Sequence, residues 1–98
     1  MKLRWPLGLY RVSGDSMLPT YATGDLLLGK RWGKPQPGMV VVAQFGNPLI
    51  KRIIRIEPDG RLWLQGDNAG ASTDSRQFGA IEPRLIEATI LAKLGQTR

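Results

Sequence analysis

The sequence contains neither cysteine nor histidine. Without cysteine the chain has no disulfide, thiolate nucleophile or cysteine-bound metal, which fits a reducing compartment. Without histidine it lacks the commonest general base, and it cannot form a Ser-His-Asp triad. Catalysis by this chain would therefore use Ser, Thr, Lys, Asp, Glu, Tyr or Arg side chains, and we expect neither a metal nor another cofactor.

The sequence also lacks an apolar run long enough to cross a membrane as a helix. Its longest uncharged stretch, residues 35–50, contains three prolines and two glutamines and is shorter than the roughly 20 apolar residues that a spanning helix needs. The charged amino-terminal segment is too short in apolar residues for a signal peptide. We therefore expect a soluble, cytoplasmic protein, with Trp5, Leu7, Leu9 and Tyr10 available for contact with a membrane surface.

Acidic residues are outnumbered, with 14 Lys and Arg against 8 Asp and Glu, a net charge of +6. The basic residues come in ones and twos, which is typical of a solvated surface, and we expect no specific nucleic-acid partner. The alternative from a different functional class is a non-catalytic, basic nucleic-acid-binding β-barrel. In that alternative Trp5, Trp32 and Trp63 would stack on bases.

Short apolar segments separated by glycine and proline predict a single all-β domain over residues 1–98, partly barrel-like and with little helix. Asp59-Gly60 predicts a hairpin turn. The last apolar segment fits a helix or a strand, and its β-branched residues favour a strand. The six predicted strands are residues 8–12, 25–32, 38–45, 48–56, 61–66 and 85–94.

Ser16 lies in the segment VSGDSMLPT, whose composition is first of all that of a turn. A serine hydroxyl becomes a nucleophile when a base removes its proton, and a neutral lysine can replace histidine if burial lowers its pKa from about 10.4. Strand alternation places Lys51 on one face with Leu49 and Ile53 and puts Arg52 on the other. Lys51 is therefore the candidate base. The alternative is a strand-edge lysine whose ammonium group reaches water.

Residues 66–79, GDNAGASTDSRQFG, are dense in short polar side chains. Such a segment can be a plain connector, because these side chains cap their own backbone. It can also hold a hydroxyl, from Ser72, Thr73 or Ser75, beside a buried amine. A charge-assisted pair between Asp74 and Arg76 would fix the segment.

Three sequence blocks, taken in order, resemble the signal peptidase I family of serine peptidases. They are SGDSMLPT followed by GDLLL, KR in an apolar strand, and GDN…STDSRQFG. The resemblance implies a Ser–Lys dyad with Ser16 as nucleophile and Lys51 as general base. It also implies that Ser72 orients the lysine and that the Ser16 backbone N–H stabilises the oxyanion. Residues implied to brace the site are Gly66, Asp67, Asn68, Asp74 and Arg76, and those implied to contact substrate are Met17 and Pro19.

The resemblance further implies a folded β-sheet like that of signal peptidase and LexA, and a precursor protein bound as an extended strand. Only 14 residues separate Lys51 from Gly66, so the chain is close to a minimal catalytic core. Gly14 stands where some members carry a serine that donates to the oxyanion.

Small size and the last block are most similar to the nickel-type superoxide dismutase maturation proteases, which remove an N-terminal propeptide. One alternative is a general signal peptidase-like protease acting at a membrane with a partner. Another is a self-cleaving repressor domain, which the short segment before Ser16 disfavours.

Overall fold

A computed structural model describes residues 5–96. One antiparallel sheet of six strands forms the body of the structure, in the order β1-β2-β6-β3-β4-β5. The strands are β1 Leu7–Arg11, β2 Asp25–Lys30, β3 Val40–Phe45, β4 Asn47–Ile56, β5 Leu62–Gln65 and β6 Ile86–Gln96. The helical elements are one short helix, α1 Ser75–Phe78, and two 3-10 turns, Ala69–Ala71 and Pro83–Leu85. The predicted all-β fold with little helix is confirmed.

Each predicted strand matches one strand of the sheet, with ends that differ by at most two residues. The ambiguous last segment is the strand β6, where β-branched residues such as Thr89 and Ile90 fit a pleated surface better than a helix. The predicted Asp59-Gly60 turn joins β4 to β5. Gly60 adopts a φ of 91° there and donates its N–H to the Glu57 carbonyl at 2.8 Å.

The hydrophobic core forms where β3, β4 and β5 meet the segment that follows α1. β3 is buried along residues 40–43, because it lies inside the sheet between β6 and β4 and both of its faces are covered. The buried core cluster consists of Val41, Ala43, Ile53, Leu62, Leu64 and Ile81, with Phe78, Leu85 and Ile86 packed against it.

Two loops and one interior strand converge beside this core. The loop between β1 and β2 is closed at its base by hydrogen bonds from the Val12 N–H to the Asp25 carbonyl and from the Gly24 N–H to the Val12 carbonyl, each 2.9 Å. The loop after β5 packs against it, and β4 passes between β3 and β5. Within residues 5–96 no helix has the length and apolar character needed to span a membrane.

Candidate active site

Lys51 lies in the middle of β4, an interior strand, with only 4% of its surface exposed. Its neighbour on the same face, Ile53, is fully buried, as strand alternation predicts. The amine donates a hydrogen bond to Ser72 Oγ at 3.0 Å. Burial lowers the pKa of Lys51 below its usual value, an effect that the Asp74 carboxylate opposes and the Arg76 guanidinium reinforces. The structure therefore places Lys51 in the environment that favours a neutral amine.

Ser72 links the Lys51 amine to a fully buried carboxylate, that of Asp74. Burial raises the pKa of Asp74, but hydrogen bonds from Arg76, Ser72 and the Gly66 N–H outweigh it and hold the pKa well below its usual range. Because an ionised carboxylate only accepts hydrogen bonds, Ser72 must donate its proton to Asp74. The lone pairs of Ser72 Oγ are then left to accept from the lysine.

The predicted pair between Asp74 and Arg76 is present, with Arg76 Nη2 2.7 Å from Asp74 Oδ2 and Arg76 Nε 3.0 Å from Oδ1. Asp74 is also the N-cap of α1, where it forms a capping box with Gln77. The pattern of Asp followed three residues later by Gln is what begins a helix at this point. The short helix and the ion pair together fix the carboxylate that holds Ser72.

The other two hydroxyls of this segment lie elsewhere. Ser75 Oγ is buried and accepts a hydrogen bond from the Leu64 N–H at 2.9 Å, so it completes the backbone bonding of β5. Thr73 is exposed. Of the three candidates, the structure brings Ser72 alone to the amine.

Ser16 lies in the turn between β1 and β2, against the loop that carries Ser72. Its carbonyl accepts a hydrogen bond from the Asn68 N–H at 2.8 Å, and Asn68 Nδ2 donates to the Asp15 carbonyl at 3.0 Å. Gly14 has a φ of 88°, the conformation that the predicted bend requires. Within residues 5–96 the Ser16 hydroxyl makes no hydrogen bond to Lys51, and its backbone N–H donates to no protein group.

Asp67 connects the serine segment to the lysine strand through a contact that sequence reasoning did not include. Arg52 Nε and Nη2 contact the two oxygens of Asp67 at 2.9 and 2.8 Å, and Thr20 Oγ1 also donates to this carboxylate. Hydrogen bonds from Arg52 and Thr20 lower the pKa of Asp67 although burial opposes them. In the sequence, the feature that could have drawn attention to Arg52 is its position directly after Lys51, on the opposite face of β4.

A cavity of about 280 Å³ opens beside Ser16. Its apolar lining includes Met17, Val42 and Ile50, and residues 9–13 of β1 and the following turn form one side. Met17, one of the two predicted substrate contacts, is 1% exposed and lines this cavity. Pro19, the other, is exposed, follows a cis peptide bond and does not line the cavity, so its role stays a prediction.

Within residues 5–96 the structure does not bring together the side chains of a metal site or of a base-stacking surface. No cluster of three or more carboxylates is arranged to hold a metal ion there. Trp63 lies on β5, at the opposite edge of the sheet from the strands that Trp5 and Trp32 flank, and it stacks under Arg55 at 4.3 Å. The three tryptophans therefore do not form one surface for base stacking.

Comparison with known proteins defines the class of the molecule. The Peptidase S24-like family model matches residues 5–86, and the chain belongs to this family. It is therefore a protease of the S24 and signal peptidase I-like type, which agrees with the resemblance found in the sequence at the level of the class.

Particular relatives are subunits of mitochondrial proteases. The chain is 30% identical to mitochondrial inner membrane protease subunit 1 of Mus musculus and of Homo sapiens, over 89% of its length and 69% of theirs. It is 32% identical to mitochondrial ATP-independent inner membrane protease subunit 1b of Arabidopsis thaliana, over 80% of its length and 64% of that protein. The alignment with the mouse protein has 114 positions, more than this chain has residues, so that relative contains residues without a counterpart here.

Substitution of Gly66 tests how closely the segment around Ser16 packs against the loop that carries Ser72. A Cβ built at Gly66 lies 2.5 Å from the Ser16 carbonyl oxygen and 2.8 Å from Ser72 Cβ, and still closer to Ser72 Oγ. We expect Gly66→Ala to lower the free energy of unfolding by about 1–3 kcal/mol, as overpacking does, measured by urea denaturation. Gly70→Ala is the matched control, because its Cβ meets nothing within 4 Å. Equal stability of the two variants would contradict this contact.

Substitution of Lys51 tests how much burial of its amine lowers the free energy of unfolding. Its pKa is lowered in the folded state from a usual value of 10.5, so wild-type stability should rise as pH increases from the folded pKa to 10.5. Lys51→Met has no such cost, and we expect it to be at least as stable as the wild type at pH 7, with an advantage that shrinks towards pH 10.5. Thermal unfolding across this pH range measures it, with the exposed Lys34→Met as control. A Lys51→Met advantage that grows with pH would refute the lowered pKa.

Proposed function

We propose that the chain is a serine endopeptidase in which Ser16 is the nucleophile and neutral Lys51 is the general base, and that it removes an N-terminal propeptide or signal segment from a precursor protein. One observation carries the proposal. The buried Lys51 amine is hydrogen-bonded to a hydroxyl, Ser72, at 3.0 Å and not to a carboxylate, and the Ser16 backbone packs against the same loop.

The hydrogen-bond directions explain how Lys51 acts as a base. A neutral amine has two N–H donors and one lone pair. One N–H is directed at Ser72 Oγ, whose own proton is committed to Asp74. The lone pair is then available to the Ser16 hydroxyl, which must approach Lys51 Nζ when substrate binds, as catalytic hydrogen bonds commonly shorten in the substrate complex.

The reaction then follows from these positions. Lys51 Nζ takes the hydroxyl proton as Ser16 Oγ attacks the peptide carbonyl carbon, and the Ser16 N–H donates to the oxyanion. Lys51 returns the proton to the amine that leaves when the C–N bond breaks. The again neutral Lys51 takes a proton from a water molecule as this water attacks the ester on Ser16. The bond to Ser16 Oγ breaks, Lys51 returns the proton to Ser16 Oγ, and the new carboxyl terminus is released.

The shape beside Ser16 supports an extended substrate. β1 is an edge strand, and the cavity lies between its last residues and the apolar side chains of Met17, Val42 and Ile50. A peptide added along this edge would bond through its backbone and place alternate side chains towards the cavity. A cavity of about 280 Å³ with this lining suits a small or medium apolar side chain next to the cleaved bond.

For the precursor, two candidates are to be compared. The segment GDNAGASTDSRQFG is similar to that of nickel-type superoxide dismutase maturation proteases, which makes the dismutase precursor one candidate substrate. The relatives described above are subunits of inner membrane proteases. They support a second candidate, a signal peptidase-like protease that cleaves precursors at a membrane with a partner subunit.

Ser16 and Lys51 test the dyad. We expect Ser16→Ala and Lys51→Met each to reduce peptide cleavage by about 10⁴-fold or more, as loss of a nucleophile or its base does in serine proteases, with the fold retained. The measurement is mass spectrometry of new termini in a proteome-derived peptide library and in a nickel-type superoxide dismutase precursor. Thr73→Ala, which removes a hydroxyl from an exposed position outside the cavity, is the control.

Wild-type cleavage of the library without cleavage of the dismutase precursor would favour the membrane-type candidate. Full activity of Lys51→Met would refute Lys51 as the base.

The pH dependence tests the protonation state. Since only neutral Lys51 accepts a proton, we expect activity to rise with pH, with a midpoint below 10.5 because burial lowers the pKa of Lys51. Arg76 also lowers this pKa, so Arg76→Gln should move the midpoint to higher pH. This move should reduce activity on the rising limb, whereas activity above the midpoint should change little. Equal loss at every pH would show a structural role alone for Arg76.

A further inference from the structure

Asp25, the first residue of β2, has a carboxylate that the proposed reaction does not use. Only 1% of its surface is exposed, and an aspartate is rarely buried to this extent unless it is paired. Its Oδ2 accepts a hydrogen bond from the Ala22 N–H at 2.9 Å, and Lys93 Nζ on β6 lies 3.8 Å from the same oxygen. Among residues 5–96 its Oδ1 is buried without a hydrogen-bond partner. Burial of an unpaired acceptor lowers stability, so the presence of this carboxylate points to a function for the bond that Oδ2 makes.

The Oδ2 bond holds a short segment between Ser16 and β2, residues 21–23, which we call the support segment. Its middle residue, Ala22, is bound to Asp25 twice, because the Ala22 N–H donates to Oδ2 and the Ala22 carbonyl accepts from the Asp25 N–H at 3.0 Å. Short polar side chains close turns on their own backbone in this way. Asp25 is itself held at the base of the loop, since its carbonyl accepts from the Val12 N–H at 2.9 Å. The support segment is therefore tied to the start of the sheet.

The support segment in turn bonds to the backbone on both sides of Ser16. The Tyr21 N–H donates to the carbonyl of Met17, the residue directly after the serine, at 3.0 Å. Thr23 Oγ1 donates to the carbonyl of Gly14, two residues before the serine, at 2.9 Å. The backbone that flanks Ser16 is thus connected through residues 21–23 to one buried carboxylate.

These bonds differ in effect from those that the loop after β5 makes with the same turn. Asn68 from that loop donates to the Asp15 and Ser16 carbonyls. Its bonds set the position of the turn relative to the strand of Lys51. The support segment bonds within the turn and sets the shape of the backbone around the serine. The direction of the Ser16 N–H follows from this shape, and a donor to an oxyanion must be directed accurately.

We infer that Asp25 is a positioning residue for the nucleophile. Through the support segment, its carboxylate fixes the backbone conformation in which Ser16 presents its hydroxyl and its N–H to substrate. Asp25 does not line the cavity beside Ser16, so it acts through the backbone and not by contact with substrate. The effect on catalysis rests on the proposed function, whereas the effect on the turn does not.

The hydrogen bond to Ala22 carries this effect, and the charge pair with Lys93 does not. The bond is 2.9 Å long and is made by a buried side chain. The Lys93 side chain is 42% exposed and its amine is 3.8 Å away, and water screens exposed pairs of this kind so that they contribute little. An uncharged side chain that keeps an oxygen acceptor at position 25 should therefore serve nearly as well.

Steady-state kinetics with a peptide that the library identifies as a substrate tests the inference. We expect Asp25→Ala to lower kcat about 10²-fold with little change in KM, as a displacement of about 1 Å near the reacting atoms does. Asp25→Asn should recover most of this loss, because its amide oxygen still accepts from the Ala22 N–H. Lys93→Met should stay close to the wild type. The midpoint of the pH profile should not move in any of them, because the charged groups that act on the pKa of Lys51 are those of Asp74 and Arg76.

Two controls separate positioning from stability. Asp59→Ala removes the same kind of bond from another turn, where Asp59 Oδ1 accepts from the Arg61 N–H at 3.0 Å, and should leave kcat unchanged. Ile81→Val removes a methyl group from the core cluster. It should lower the melting temperature without lowering kcat at temperatures where circular dichroism shows the variant folded. Thr23→Val changes an exposed residue and removes only the bond to Gly14, so it tests the same support if Asp25→Ala does not fold, and it should also lower kcat.

Hydrogen–deuterium exchange provides a readout that needs no activity. In Asp25→Ala the amides of residues 12–24 should exchange about tenfold faster or more, because their turn opens more often, while those of β3 stay protected. Asp25→Asn and the inactive Ser16→Ala should exchange as the wild type does over residues 12–24. Mass spectrometry of proteolytic fragments measures both regions in one sample.

Wild-type kcat in Asp25→Ala would overturn the inference, as would exchange over residues 12–24 at the wild-type rate. Equal losses of kcat in Asp25→Ala, Asp25→Asn and Lys93→Met would overturn it in favour of the charge pair. A loss of kcat in Ile81→Val as large as that in Asp25→Ala would show a role in stability alone. If the wild type cleaves no peptide while exchange in the variants follows the expectation, the proposed function fails and the support of the turn by Asp25 stands.

Discussion

The structure of the site depends on one hydrogen bond, from a buried amine to a hydroxyl. A buried ammonium normally requires a carboxylate in direct contact, because desolvation of an unpaired charge is costly. Here Ser72 stands between Lys51 and Asp74, and Asp74 is bound directly to Arg76 instead. The carboxylate is thus neutralised by a guanidinium, and the amine keeps a neutral partner. Arg76, which holds Asp74 in this position, also lowers the pKa of Lys51.

In this arrangement the loop after β5 positions both the lysine and the serine. Through Asp74 and Ser72 it fixes the amine, and through Asn68 it holds the backbone of Ser16. Asp67 adds a contact between Arg52 on β4 and Thr20 beyond the serine. Two hydrogen-bonded connections, one on each side of β4, therefore set the distance between the serine segment and the lysine strand. A Cβ at Gly66 would overlap the Ser16 carbonyl and Ser72, which explains why a residue without a side chain fits between these segments.

The strands could be predicted from sequence because alternation and turn residues are local signals. Lys51 could be selected for the same reason, since Ile53 on its face is an apolar residue of the core. The contacts of Arg52 could not, because the carboxylate that it meets comes from another loop, and no local pattern states which loop lies next to β4. The same holds for Ser72 and Ser75, two hydroxyls three positions apart in one polar segment. One meets the amine and the other a backbone N–H. The family resemblance implied Ser72, but the local residue pattern does not distinguish the two, and the packing of β5 does.

The position of the loop in the chain has a consequence for biosynthesis. A ribosome releases Ser16 first, then β4 with Lys51, and only afterwards residues 66–76, which orient both. A growing or partly folded chain therefore contains the serine and the lysine without the groups that hold them in place. β6 follows these residues in the chain and inserts between β2 and β3. The site can therefore assemble only after residues 66–76 have been synthesised and have packed against β4 and the serine segment.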